Sequence, residues 1–217
     1  MRKLADGVHV QDAPQRFAGV EVGARMTLLE TDDGVLVHSP LAVDPASVAD
    51  IGPARWVMAP NKLHHLYVGP WIEAVLEAWA APGLPEKRRD LAFTGVLDTH
   101  EHPFGDAIEV FPLASFPFTN EVAVLHRPSR TLVLADLVLH ITRDYPWTTR
   151  AAMTLLWGYP GCCTTILERV GFHRPTARRE MAMLAELDFD RLVMAHGEVI
   201  ETGGKEAFRG AMGWLGI

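Results

Sequence analysis

Apolar positions recur at two different periods along this chain, and the switches between them mark out strands and helices. Met26–Glu30 and Val35–His38 are apolar runs on either side of Thr31–Gly34, an Asp-Gly turn of the kind that joins paired strands. Trp56–Ala59 reads as a short buried strand that stops at Pro60. Ile72, Val75, Leu76 and Trp79 then fall three or four apart, with Glu73 and Glu77 on the other side, which predicts a helix over about Trp71 to Ala80. The middle returns to strands at Ile108–Phe111, Glu121–His126 and Thr131–Ala135, with Arg127–Arg130 as the turn between the last two. Beyond Asp136 helices dominate. Thr176 is the expected N-cap of one, with Met181, Leu184, Ala185 and Leu187 as its buried stripe. Arg191–Ala195 is the last strand, and Gly203-Gly204 opens a closing helix carrying Ala207, Phe208, Ala211, Met212 and Leu215. This alternation predicts an α/β fold: a layered sandwich with helices covering sheets on both sides, in one domain spanning residues 1–217.

Composition adjusts this picture only slightly. The 217 residues are 48% hydrophobic and 22% charged, ordinary usage for a chain that builds its own core. Twenty Lys and Arg against 27 Asp and Glu leave a net charge of −7, which argues against binding nucleic acid or an anionic membrane through a basic face. No apolar run reaches the length of a membrane span or of a signal sequence. The only cysteines, Cys162 and Cys163, are adjacent and cannot staple distant segments. A reduced, cytoplasmic protein is expected, acting on a small molecule, as a monomer or a homodimer.

The chemistry gathers where the strands end. After Trp56–Ala59 come Asn61, His64 and His65; after Thr131–Ala135 comes Asp136, with His140 beyond it; after Leu192–Ala195 come His196 and Gly197. Each has an ordinary explanation, such as a surface imidazole or a carboxylate capping a helix. Three strand ends bearing His or Asp make a stronger joint case for ligation, since these are the side chains that hold zinc, iron or manganese. Strand ends are also where α/β folds place ligand sites.

The arrangement resembles the metallo-β-lactamase superfamily, whose αββα sandwich carries ligands on such loops. Leu134–Asp136 is similar to the family's bridging-Asp strand end, and Met194–Gly197 to its final His-Gly motif. The early His-x-His-x-Asp-His signature is altered. With Gly69 aligned to its closing glycine, Asn61 and Leu63 occupy the first two His positions, His65 the Asp position and Leu66 the last His. Phe118–Glu121 replaces the mid-chain His-Thr turn, and His38 stands where an Asp is usual.

The resemblance implies a four-layer αββα sandwich and a reduced metal site. The expected ligands are His64 or His65, Asp136 and His196, with Asp136 and His65 as the catalytic pair and Glu121 and His140 as further or supporting groups. One divalent metal is expected, zinc first, then iron or manganese, serving hydrolysis of an ester, amide or thioester. The rival is a relative without metal or activity that binds a ligand or partner, as the substitutions at Asn61, Leu63 and Leu66 would allow. His100 and His102 lie among charged and turn residues and are expected in an exposed loop. Cys162 and Cys163 are expected to be inert, and Trp147 and Trp157 to line a pocket.

Overall fold

In the computed structural model, which describes residues 1–217, strands and helices alternate along nearly the whole chain. The first part supplies β1 (Arg2–Ala5), β2 (Val8–Ala13), β3 (Arg16–Phe17), β4 (Val20–Glu21), β5 (Ala24–Thr31), β6 (Gly34–His38) and β7 (Ala54–Ala59). Helix α1 (Val68–Ala74), β8 (Glu77–Ala80), α2 (Leu84–Lys87), β9 (Gly95–Val96), β10 (Ile108–Pro112), β11 (Val122–His126) and β12 (Thr131–Val133) follow. The chain ends with β13 (Leu139–Ile141), α3 (Trp147–Leu155), β14 (Gly161–Cys163), α4 (Arg174–Glu186), β15 (Arg191–Val193) and α5 (Gly204–Met212).

Period-two alternation sorts these strands into layers. The larger sheet has the order β1-β2-β5-β6-β7-β8-β9, the smaller β10-β11-β12-β15. Leu29, Leu36, Trp56 and Met58 from the larger sheet meet Val110, Val124, Val133 and Val193 from the smaller, filling the space between them. Their neighbours in sequence point the opposite way. Leu28, Val37 and Val57 pack against Val68 and Trp71 of α1. On the far side, Ala123, Leu125, Leu132 and Leu192 pack against Met181 and Leu184 of α4 and Phe208 and Met212 of α5. Each fully buried Val, Leu or Met is worth about 1.5–3 kcal/mol of transfer free energy, so a one-residue slip in any strand would exchange two cores at once. The fold is a four-layer αββα sandwich, as the pattern and the resemblance both predict. No helix is long and apolar enough to cross a membrane.

Several elements differ from the sequence expectation. The helix foreseen over Trp71–Ala80 ends at Ala74, and Glu77–Ala80 is a strand paired in parallel with β7, Met58 opposite Trp79. Over four residues a helical and an alternating pattern coincide, and pairing with β7 decides between them. Trp79 thereby faces Phe104, edge to face at 6.0 Å, instead of lying on a helix. Helix α4 begins at Arg174 with Pro175 in its first turn, so Thr176 is helical and His173 is the cap. The antiparallel β13–β14 pair, Leu139–Ile141 against Gly161–Cys163, was not foreseen in a region read as helical.

Candidate metal centre

Asp136 and His196 come together because they follow adjacent parallel strands in register. Thr131, Leu132 and Val133 pair with Arg191, Leu192 and Val193. The pairing runs on through Leu134 N–H to Val193 O and Ala195 N–H to Ala135 O. Each strand then releases one polar residue at the same rim. The turn after His196 has a backbone reason. Gly197 lies at φ +91°, and a Cβ there would fall 2.2 Å from the carbonyl oxygen of His140.

A buried carboxylate secures the end of β12. Glu121 is fully buried and accepts from the backbone N–H groups of Ala135 (2.8 Å), Asp136 (2.6 Å) and Leu137 (3.0 Å), three donors left free when pairing stops. Asn61, also fully buried, donates to Asp136 Oδ2 (2.8 Å) and to Glu121 Oε2 (3.3 Å). Its own carbonyl accepts from Leu63 N–H (2.8 Å) and His64 N–H (2.9 Å), folding the chain after β7 into a tight turn. That turn sends His64 and His65 in different directions.

His64 Nε2 lies 3.2 Å from Asp136 Oδ2, and His196 Nε2 lies 3.2 Å from Asp136 Oδ1. One ligand atom from each residue falls within 4.8 Å of the others. The side chains are mostly buried, with exposures of 11%, 13% and 14% for His64, Asp136 and His196. The far side of each imidazole is fixed. His196 Nδ1 is 2.6 Å from Gly23 O, which can only accept, so Nδ1 carries a proton and Nε2 is the atom turned toward Asp136. His64 Nδ1 meets Ser39 Oγ at 2.6 Å, on a residue held at φ +55° at the end of β6. A left-handed non-glycine residue is costly and persists where neighbours impose it.

These contacts test whether a metal suits the residues. An imidazole nitrogen facing a carboxylate oxygen 3.2 Å away needs positive charge between or on them, either a proton on that nitrogen or a metal ion. Ligands each about 2 Å from a tetrahedral ion are spaced roughly 3.3 Å apart, close to the two His–Asp separations of 3.2 Å, each to its own carboxylate oxygen. Two imidazole nitrogens and a carboxylate, each braced from behind, fit a divalent cation of the zinc or iron type. Charge points the same way. Burial opposes the imidazolium at His64, yet Asp136 and Glu121 raise its pKa overall. Burial likewise opposes ionisation of Asp136, but His64 and His196 hold it well below the usual carboxylate range.

The cluster lines a pocket of about 350 Å³ whose other walls are largely apolar, including Leu41, Leu63, Phe118, Met153 and Leu156. His65 lines the same pocket but stands outside the cluster. Arg88 Nη1 donates to its Nδ1 at 2.7 Å, and burial together with Lys87 and Arg88 lowers its pKa. His140 serves through its backbone and ring edge, donating N–H to His196 O (3.4 Å) and placing Nδ1 3.0 Å from Glu198 O. His38 is buried at the end of β6 with Nε2 unpaired, and burial and the charge of His64 push its pKa down to about 3. His100 lies exposed in its loop, while His102 stacks on Phe104 at 5.2 Å. Cys162 and Cys163 are free and part-buried, and burial raises the first thiol to about 12. Trp147 and Trp157 are 72% and 52% exposed and do not line the pocket, which corrects the expectation for them. Ser39 and Glu168 were missed. Ser39 sits inconspicuously before Pro40, and Glu168 follows Ile166 and Leu167 in a segment with no periodic pattern to mark it as buried.

No family model and no curated protein matches the sequence. Solved structures do match the fold. The metallo-β-lactamase FIM-1 from Pseudomonas aeruginosa, in its mono-zinc form, aligns over 99% of this chain and 93% of its own, with TM-score 0.71 and 11% identity. Metallo-β-lactamase IND-7 aligns over 100% and 97%, with TM-score 0.65 and 16% identity. The flavodiiron core of Flv1 from Synechocystis sp. PCC6803 aligns over 98% of this chain and 59% of its own, with TM-score 0.65 and 11% identity. The chain therefore has the metallo-β-lactamase fold, and its His-Asp-His cluster is a possible metal site within that fold.

Proposed function

We propose that this chain is a metal-dependent hydrolase that cleaves a small ester, amide or thioester, using one divalent cation held by His64, Asp136 and His196. One observation carries the reading: His196 donates its Nδ1–H to Gly23 O, which turns Nε2 toward the Asp136 carboxylate, 3.2 Å away in a mostly buried site. Zinc suits two imidazoles and one carboxylate, and a three-residue set leaves a position free for substrate or water. A single ion follows from the substitutions at Asn61, Leu63 and Leu66, which leave no second group of His and Asp side chains in that turn.

A divalent ion bound there would polarise a carbonyl and bring the pKa of a neighbouring water toward about 7. The protein's own residues do the rest. Asn61 and Glu121 fix Asp136, Ser39 fixes His64, and Gly23 fixes His196, so the donor atoms need no rearrangement. The apolar walls accept the hydrocarbon part of the substrate. Asp136, kept ionised by the imidazoles, acts as an anchor and not as a store of protons.

Purified, unchelated protein analysed for metals and assayed on aryl and alkyl esters provides the test. About one equivalent of zinc, iron or manganese per chain and chelator-sensitive hydrolysis are expected. Two equivalents would mean that residues outside the cluster also ligate. No metal under any loading condition would overturn the proposal in favour of a ligand-binding role.

A further inference from the structure

A second carboxyl group faces this pocket under quite different conditions. Glu168 is 2% exposed, lines the same cavity as His64, Asp136 and His196, and receives a single hydrogen bond, from Thr119 Oγ1 to its Oε2 at 2.8 Å. Thr119 is fully buried and is tied through its carbonyl to Lys62 N–H at 2.9 Å. Lys62 adjoins Asn61, which donates to Asp136. Glu168 is thus linked to the metal cluster by a short run of fixed groups, with one carboxyl oxygen left without a protein partner. A buried carboxylate with one donor is expensive, whereas a buried carboxylic acid is much less so. Burial and the negative charges of Asp136 and Glu121 raise its pKa to about 8. Glu121, by contrast, meets four N–H donors, which offset part of the rise that burial and Asp136 impose and leave its pKa at about 7.

We infer that Glu168 is a catalytic residue, the acid that protonates the leaving group, and that Thr119 holds it in the wall of the pocket that the cluster lines. The inference rests on the hydrolase reading above. In ester cleavage the oxygen of water forms a bond to the acyl carbon while the bond from that carbon to the leaving oxygen breaks. The released electron pair stays on the leaving oxygen, which takes the Glu168 proton and departs as an alcohol. A proton lost by the attacking water returns to the Glu168 carboxylate, so the acid is regenerated and water is the only co-reactant. The arrangement favours substrates whose leaving group is basic, such as alkyl esters and amides. An aryl oxide is stable enough to leave unprotonated.

Glu168→Gln keeps the size of the side chain and an acceptor for Thr119 but carries no transferable proton. It should bind metal as the parent does and lose roughly a hundredfold in kcat on an alkyl ester, with a much smaller loss on a p-nitrophenyl ester of the same acyl group. An unchanged ratio of alkyl to aryl rates in this variant would overturn the role of Glu168 while leaving the hydrolase reading intact. Absence of chelator-sensitive hydrolysis in the parent would instead overturn the hydrolase reading. A second readout needs no metal. Infrared spectra of the chelated parent at neutral pH should show a protonated-carboxyl stretch that Glu168→Gln lacks. A parent spectrum without that band would refute the proposal even if the variant failed to fold.

Discussion

The two sides of the His64–Asp136–His196 cluster are held in place by different means. Asp136 and His196 extend from neighbouring parallel strands whose register continues to Ala135 and Ala195, so a ladder of backbone bonds sets their spacing. His64 extends from a turn, and its direction depends on one side chain, the Asn61 amide, with Ser39 steadying the far edge of the ring. The first arrangement tolerates changes in its surroundings because many bonds share the task. The second has few redundant contacts. The strand-end half should therefore behave as the rigid frame of the site and the turn half as its adjustable part.

Removing a ligand from the rigid half should have the largest effect. His196→Ala deletes one of three donors and is expected to weaken metal binding by more than the roughly 10–100-fold that loss of a supporting group costs. Stability should fall by only about 1 kcal/mol, from the unpaired Gly23 carbonyl, because the strand pairing beneath is untouched. Metal content and melting temperature of this variant beside the parent measure both. Unaltered metal content would remove His196 from the site.

Asn61→Ala should come next and probes the turn. It removes donors to Asp136 and Glu121 and the acceptor for Leu63 and His64 N–H, all in a fully buried setting. A stability loss of about 2–3 kcal/mol is expected, with metal affinity lowered about 10–100-fold as His64 loses its aim. Denaturant unfolding and metal titration read the two effects separately. A loss of stability with full metal affinity would show that Ser39 alone orients His64, and the contrast between the halves would narrow.

That contrast also explains what could be read from the sequence. Asp136 and His196 were legible because each follows an apolar run too regular to be anything but a strand, and a polar residue at such an end stands out. The early turn was legible only as a group of polar residues. Choosing between His64 and His65 depends on where Asn61 sends its hydrogen bonds, a three-dimensional fact with no trace in spacing. Asn61 itself looked like a missing ligand and is instead the group that braces Asp136. The Trp71–Ala80 segment failed for a similar reason. Four residues could serve either period, and the neighbouring strand β7 decided the outcome. Glu168 had no local signal, since its burial is imposed by segments distant in sequence, Thr119 among them.

The smallest expected effect belongs to His65, and it puts the finest point on the comparison. His64 and His65 are adjacent, chemically identical and both line the pocket, so composition cannot tell them apart. Their partners can. Arg88 donates to His65 Nδ1 at 2.7 Å, which occupies that lone pair and leaves the proton on Nε2, the opposite tautomer from the one a ligand in this cluster needs. The nearby charges of Lys87 and Arg88 also disfavour a second cation beside the ring. His65→Ala should therefore leave metal content unchanged within about twofold, with a stability cost of about 1 kcal/mol from the lost Arg88 contact. His64→Ala, prepared in parallel, should lose metal as His196→Ala does. Equal metal loss from the two variants would mean that the turn presents both imidazoles to the ion, and that Arg88 releases His65 when metal binds.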